Sequence, residues 1–421
     1  MDIAVIGIGS RGDVQPYLAL ARSLRHVGHH VRLVAPPNFA ALAQQYEVDF
    51  CSVGVDFQAL LDNDRVKSLL ESGKLFRSLP ALRREFLATI DDLFLATWQA
   101  CRGAELVIAT VIGPIGYSVA EKLQASYVEA AMQPFTPTRA FPSPAFPPRL
   151  DLGGTFNHFT HSLFEQVFWQ LYRANINRLR TQILGLAPHS LTGPLRHIRK
   201  RGVLRLYAYS PHVVPRPADW PAAHQVTGYW FLPPPPRWQP SPELCTFLEA
   251  GEPPIYIGFG SMMSRDPQQM AALVSEALLR TGQRGIIASG WGALGGAMQY
   301  SDRIFCVESL PHHWLFPRMR AIIHHGGAGT TGAALRSGVP SVIVPFGFDQ
   351  AFWGHRMARL GAGPAPLPRP TLTATQLADA IEQAVNDSQM QARAALVGAQ
   401  IRAEYGTAQA LDHIHRMMKQ K

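Results

Sequence analysis

The sequence is poor in cysteine, in acidic residues and in long apolar runs, and each shortage excludes something. Four cysteines, Cys51, Cys101, Cys245 and Cys306, are scattered through 421 residues with no Cys-x-x-Cys pair. That argues against a disulfide framework or zinc knuckle and for reduced thiols in a cytoplasmic protein. No apolar stretch reaches the ~18 residues that cross a bilayer. The amino terminus Met1-Asp2-Ile3-Ala4-Val5-Ile6-Gly7 reads as a strand, without the basic and apolar regions of a leader. Charged residues make up only 16%, and 30 acids face 39 lysines and arginines, a formal charge of +9. That balance suits an anionic small molecule or peripheral contact with an anionic membrane. The basic residues are dispersed, so nucleic acid is not indicated. One basic knot, Arg196, Arg199, Lys200, Arg201 and Arg205, reads as a solvated loop. Histidines at metalloprotease spacing are absent, and no metal requirement is expected.

What is present is a large apolar fraction, 47%, enough for a sizeable core in a chain long enough for two domains. In the first third, short apolar runs at 3–8, 31–35, 106–111 and 127–130 alternate with helical patterns at 14–27, 39–46 and 115–123. Such alternation gives a parallel sheet with helices on its faces. Six prolines and three phenylalanines then crowd residues 134–148, a composition that excludes helix and central strand. An aromatic helix follows, from about Phe156 to Leu184. A second proline-rich stretch, 211–242, includes Pro233-Pro234-Pro235-Pro236 and reads as a stiff linker. Beyond it the alternation restarts, with strands at 255–259, 285–288, 303–307, 321–324 and 341–344, and helices at 374–386, 389–404 and 407–418. The expected fold is α/β, with two doubly wound Rossmann-like domains facing across a cleft. The first would span 1–210, the linker 211–242 and the second domain 243–400. A terminal helix, 401–421, would cross back to the first domain. Ligands of such sheets bind outside the carboxyl ends of the strands.

Gly7-Ile8-Gly9-Ser10-Arg11-Gly12 fits the Gly-x-Gly-x-x-Gly pattern between a strand and a helix. Two features speak against a dinucleotide there. No acid occurs from Pro16 to Gln45, where the ribose-binding carboxylate belongs, and Asp13 stands where a pyrophosphate would dock. Asp13 itself has two readings, a helix N-cap ahead of Val14 and Pro16, or a carboxylate base at the mouth of a cleft.

The stronger signal is His324-His325-Gly326-Gly327-Ala328-Gly329-Thr330-Thr331, between an apolar strand and a helix. Its glycines let backbone N–H groups approach a ligand, its threonines add hydroxyls, and a helix N-terminus favours anions, so the segment suits a diphosphate. No lysine follows, which separates it from a P-loop. Asp349-Gln350 lies just past another strand end, where a carboxylate beside an amide suits a polyol. Gly258-Phe259-Gly260-Ser261-Met262 forms a third donor-rich turn.

Taken together, these segments resemble the inverting, nucleotide-sugar-dependent glycosyltransferases of the GT-B fold. Gly9-Ser10-Arg11-Gly12-Asp13-Val14-Gln15-Pro16 is similar to the N-terminal signature of the sterol and glycopeptide-aglycone branch. His325–Thr331 with Asp349-Gln350 resembles that family's donor motif. The segments 134–142 and 348–353 are similar to sterol 3-β-glucosyltransferases. The resemblance implies an acceptor-binding first domain and a donor-binding second domain, with UDP-glucose as co-substrate and no other cofactor. It implies that Asp13 is the general base and that Ser261, His325, Gly327, Ala328, Gly329 and Thr330 hold the diphosphate. It implies that Asp349 and Gln350 bind the sugar. The Trp-x-Pro-Gln box of plant relatives reads Ser309-Leu310-Pro311-His312 here. Trp291 is therefore expected to stack on the base, with Leu310 beside it.

For the acceptor, Ser10, Phe135, Phe141, Phe146 and Phe159 are expected to line a greasy, mobile pocket for a large alcohol such as a sterol, steroid or triterpenoid. The aromatics after Phe156 recur at helical spacing, so many also belong to a packed helix. A transferase for glycopeptide, macrolide or other natural-product aglycones is the nearest alternative. A sugar-nucleotide 2-epimerase shares the architecture but needs no apolar acceptor pocket, and a non-catalytic nucleotide-sugar binder needs no base.

Overall fold

A computed structural model describes residues 1–55, 89–110, 114–235, 238–260, 262, 266–289 and 301–420. These fall into two compact units, one of 1–55, 89–232 and 405–420, the other of 233–404.

In the first unit seven parallel strands make one sheet: β1 (Asp2–Ile6), β2 (His30–Ala35), β3 (Asp49–Ser52), β4 (Leu106–Thr110), β5 (Ser126–Ala131), β6 (Arg205–Tyr207) and β7 (His224–Val226). Their order is β3-β2-β1-β4-β5-β6-β7. Ile3–Ile6 and Leu106–Ala109 are buried without interruption, as befits strands covered on both faces. The helices are α1 (Arg11–His26), α2 (Ala40–Gln45), α3 (Ile90–Ala100), α4 (Ile115–Leu123), the 29-residue α5 (Gly154–Gln182), and α6 (Leu195–Lys200). One apolar layer joins Ala4, Ile6 and Val107 of the sheet to Phe94, Val119, Trp169 and Ile176 of the helices. Each such buried large side chain contributes roughly 1.5–3 kcal/mol.

Two parts of the sequence reading change here. Residues 211–232 of the stretch read as a linker belong to the first unit and supply β7, with Val213, Val214, Trp220 and Trp230 buried. Three-residue strands carry too little alternation to be read, and prolines around them look like linker. Arg205 leaves the solvated knot: it lies in β6, 1% exposed, paired with equally buried Glu129 of β5. Arg196, Lys200 and Arg201 are exposed.

In the second unit five parallel strands, β8 (Ile255–Gly258), β9 (Gly285–Ala288), β10 (Ile304–Val307), β11 (Ile322–His324) and β12 (Ser341–Ile343), take the order β10-β9-β8-β11-β12. Its helices are α7 (Pro242–Glu249), α8 (Pro267–Thr281), α9 (His312–Leu315), α10 (Ala328–Ser337), α11 (Gln350–Arg359), α12 (Ala374–Asn386) and α13 (Ser388–Arg402). Helix α14 (Gly406–Lys419) belongs to the first unit and packs on α1. Ile255 and Ile257 face Val274 and Leu278 of α8 and Leu377 and Ile381 of α12. Tyr256, Ile286 and Ile322 face the opposite layer, with Leu244, Phe247, Leu315 and Phe316. No helix among the described residues is long and apolar enough to cross a membrane.

Both strand orders reverse direction once, between β1 and β4 in one unit and between β8 and β11 in the other. At such a point neighbouring connections run to opposite faces of the sheet and open a crevice at the strand ends. Asp13 follows β1 and His325 follows β11, so each unit presents its strongest motif at its own switch point.

Candidate active site

The turn after β1 is closed by its own side chains. Ser10 is the N-cap of α1 and Asp13 the third helical residue, not the cap. Asp13 Oδ2 accepts hydrogen bonds from the Ser10 backbone N–H and from Ser10 Oγ, both at 2.9 Å. This reciprocal arrangement satisfies N–H groups that a helix start leaves unpaired. Gly9, at φ +134°, makes it feasible: a Cβ there would lie 2.5 Å from Asp13 Oδ2. The half-buried carboxylate therefore occupies the position at which an anionic ligand would meet α1. Below it Tyr17 donates to the Ala130 carbonyl at 2.7 Å. Burial, and then the Asp13 carboxylate, hold that phenol protonated.

The loop expected to be mobile is instead pinned along its length. Thr136 Oγ1 lies 2.6 Å from Tyr207 Oη and 2.9 Å from His224 Nδ1, and accepts from Arg205 Nη1 at 2.6 Å. Thr138 Oγ1 and the Arg139 N–H both donate to Asp219 at 2.7 Å. His161 Nε2 meets the Phe141 carbonyl at 3.2 Å, and Thr160 Oγ1 accepts from the Ser143 N–H at 2.9 Å. Proline fixes φ between these anchors, so little freedom remains. Burial would lower the Arg205 pKa, but Glu129 beside it raises it well above the usual value. Burial and then the Arg205 cation push His224 down to about 2, so it is neutral at pH 7.

The aromatics divide accordingly. Phe135 is half-buried and stacks on Phe164 at 5.2 Å, and Phe141 is buried. Phe146 is half-buried, and Phe159 is 54% exposed. None of the anchors Glu129, Arg205, Asp219 and His224 was legible as such, because each acts on residues up to 88 positions away.

In the second unit the turn after β11 is built the other way. Gly327 is the N-cap of α10 and no side chain caps the helix. By contrast, Ser241, Asp266, Thr373 and Asp387 each accept from backbone N–H groups at the starts of α7, α8, α12 and α13. Among the described residues, the first N–H groups of α10 thus have no side-chain partner, and they carry the positive end of its dipole. His325 is buried, with its ring against two glycines. A Cβ on Gly327 would sit 2.4 Å from His325 Nε2, and one on Gly260 would sit 3.1 Å from His325 Cε1. The turns after β8 and β11 therefore meet at this imidazole. Burial pushes His325 down to about 4, so it is neutral at pH 7. Its Nδ1 and the buried Thr331 Oγ1 have no partner among the described residues. His324 accepts the Gly326 N–H on Nδ1 at 3.1 Å, which holds the turn. Ala328 is buried, Thr330 half-buried and Gly329 exposed at the helix start. Ser261 and Trp291 lie outside the described residues. Leu310 is half-buried against the layer containing Leu315 and Phe316.

The Asp349-Gln350 pair splits. Gln350 is buried, and its Oε1 accepts from the Phe346 and Gly347 N–H groups at 2.7 and 3.2 Å. Its Nε2 reaches Met262 Sδ at 3.2 Å. Both ends of the amide hold the loop. Asp349 is half-buried, and its Oδ2 accepts from Trp353 Nε1 at 2.7 Å. That indole, one turn along α11 and fully buried, was not read as a site residue. The i, i+4 spacing on a helix start was the available signal.

Residues 3–142 match the glycosyltransferase family 28 N-terminal domain, and residues 286–413 match the C-terminal domain of erythromycin biosynthesis protein CIII-like. The structure is similar to glycosyltransferase VinC, solved in complex with dTDP, with a TM-score of 0.69 at 18% identity, covering 100% of each chain. It is also similar to the glycosyltransferase SnogD from Streptomyces nogalater, with a TM-score of 0.66 at 20% identity over 99% of each chain. By fold the chain is of the GT-B type that these glycosyltransferases share, and its first unit carries the match to the family 28 N-terminal domain. In sequence it is 37% identical to a sterol 3-β-glucosyltransferase of Cryptococcus neoformans over 99% of this chain, and 35% identical to one from Yarrowia lipolytica over the same share. It spans only 27% and 29% of the lengths of those relatives.

Proposed function

We propose that the chain transfers glucose from UDP-glucose to the hydroxyl of a sterol or similar lipophilic alcohol, with inversion at the anomeric carbon. The observation that carries this reading is the uncapped start of α10 beside buried, neutral His325, an anion site at the switch point of the second sheet. There the N–H groups of Ala328, Gly329 and Thr330, with the Thr330 hydroxyl, would take the diphosphate, and Ser261 would assist. A neutral imidazole donates one N–H to a phosphate oxygen without needing protonation. Asp349, oriented by Trp353, would bind sugar hydroxyls on a loop that Gln350 holds in shape. Trp291 and Leu310 remain our candidates for the base.

In the first unit Asp13 would accept the proton of the acceptor hydroxyl as its oxygen attacks the anomeric carbon. UDP would leave from the opposite face. Hydrogen-bond donors fixed before the reaction stabilise the leaving charge without reorganising. Phe135, Phe146 and Phe159, on a frame set by the pinned loop, would pack on the acceptor. Exposed Leu150, Leu152 and Phe159, with Arg139 and Arg149 among them, would give peripheral contact with a membrane that holds such acceptors. The sterol assignment rests on the full-chain similarity to sterol 3-β-glucosyltransferases. The match to an erythromycin-type C-terminal domain favours, as second reading, a natural-product aglycone and a dTDP-sugar.

One experiment separates them. The protein is incubated with UDP-glucose or dTDP-glucose and a panel of sterols, flavonoids and macrolides, and products are identified by mass spectrometry and by the anomeric coupling in NMR. A β-linked sterol glucoside from UDP-glucose is expected. An α-linkage would remove inversion, and turnover of dTDP-glucose with macrolides alone would install the second reading.

A further inference from the structure

Phe348 stands in a conformation that phenylalanine avoids. Its φ is +54°, in the left-handed region, where a Cβ collides with the backbone and bulky residues are true outliers. The adjacent glycine does not take this strain. Gly347 is not among the residues with positive φ, and a Cβ on it would meet nothing within 4 Å. The sequence thus puts glycine where a side chain would fit and phenylalanine where glycine would be free of strain.

The strained residue is held from both sides. Gln350 Oε1 binds the N–H groups of Phe346 and Gly347, and Trp353 binds Asp349. Strain persists where surrounding contacts over-determine the backbone, and such places gather at ligand sites. The ring shows what is presented. Phe346, two residues earlier, packs on Phe259 at 5.2 Å with Arg369 4.5 Å from its ring centre. Phe348 is 58% exposed and makes no ring contact among the described residues.

We propose that Phe348 is the platform for the hexose of the nucleotide-sugar donor. One face of a hexose ring is lined by C–H groups and its edge by hydroxyls. An exposed aromatic ring beside a fixed carboxylate matches both, the ring taking the apolar face and Asp349 the hydroxyls. The inference rests on the donor reading above and adds a sugar-contacting residue to it. It also predicts that stability and function oppose each other at this position.

The test compares the parent with Phe348→Ala and Phe348→Gly by calorimetric titration with UDP and UDP-glucose and by melting. Both variants should weaken UDP-glucose about three- to tenfold, the range of an aromatic contact, and leave UDP unchanged. Phe348→Gly should melt about 1–3 °C above Phe348→Ala, because only glycine relieves the left-handed strain. Unchanged UDP-glucose affinity would overturn the platform, as would equal weakening of UDP, or a glycine variant melting no higher than the alanine variant. A parent that binds neither ligand would mark failure of the donor reading itself, and the platform would fall with it.

Discussion

The two glycine-rich turns of this chain follow strands that flank the switch points of their sheets, β1 in one and β11 in the other, yet they treat their helix starts in opposite ways. After β1, Asp13 folds back onto Ser10 and fills the N-terminus of α1. After β11, the N-terminus of α10 is left without a side-chain cap, beside a buried imidazole with an unpartnered nitrogen among the described residues. A helix start already answered by a carboxylate repels an anion, and one left open attracts it. A Gly-x-Gly-x-x-Gly pattern therefore does not by itself define a nucleotide site; what occupies the helix start decides. On the proposed reading, the partner of Asp13 is instead a neutral one, the acceptor alcohol.

The largest expected effect breaks the first turn. Asp13→Asn keeps an oxygen to accept the Ser10 N–H, so melting should shift little. It cannot accept a proton, and glucosyl transfer should fall by roughly two to four orders of magnitude, the usual worth of a positioned base. Retention of most of the wild-type rate would make Asp13 a helix-start residue only, and His158 and His161 would become the next bases to test.

Breaking the second turn should be felt in binding. His325→Ala should weaken UDP by about tenfold in calorimetric titration, the range of one hydrogen bond to a charged group. The same residue bears on acid stability. Its folded pKa of about 4 lies below the ordinary 6.5, so the folded state binds fewer protons than the unfolded one. Its contribution is complete above pH 6.5 and is lost as pH falls toward 4. Melting temperature should decline across that window and decline less in His325→Ala. A parallel decline in both proteins would assign the acid sensitivity elsewhere, with His161, also near 4 through burial, the first alternative.

A smaller effect sharpens the contrast between units. Asp219→Ala removes the clasp on Thr138 and Arg139 and should raise the acceptor KM several-fold, by about the energy of one or two hydrogen bonds, with UDP affinity unchanged. An acceptor KM that stays constant would mean that the pinned loop does not shape the acceptor site. The smallest expected change is Thr330→Val, which should weaken UDP by about threefold, the low end for a hydrogen bond, if the hydroxyl of this half-buried residue reaches the diphosphate. Equal affinity would leave the helix N–H groups and His325 as the diphosphate contacts.

How much of this was legible in the sequence follows from how local each signal is. All five strands of the second sheet were readable because each is a short, mainly apolar run, and four of the five are followed within two residues by glycine or proline. The His325–Thr331 segment was readable for the same reason: strand, turn and helix start lie within ten residues. What escaped notice was relational. β6 and β7 are three residues each and were hidden by a buried arginine and a proline-rich surround. The Glu129–Arg205 pair joins residues 76 apart, and no local pattern announces that a charge will be buried with its partner. Asp13 was placed at a helix start, but its position as third residue rather than cap depended on Ser10 taking that place. The strain at Phe348 is set by the loop around it and has no signature in composition.

The contrast between the two turns is tested most directly by titrating UDP into Asp13→Asn and into the unaltered protein under identical conditions. If the diphosphate belongs to α10, removing the charge of Asp13 should leave the affinity within about twofold. If UDP binds the Asn variant severalfold more tightly, as relief of repulsion at a helix start would produce, the diphosphate docks on α1, and the division of labour between the two turns is contradicted.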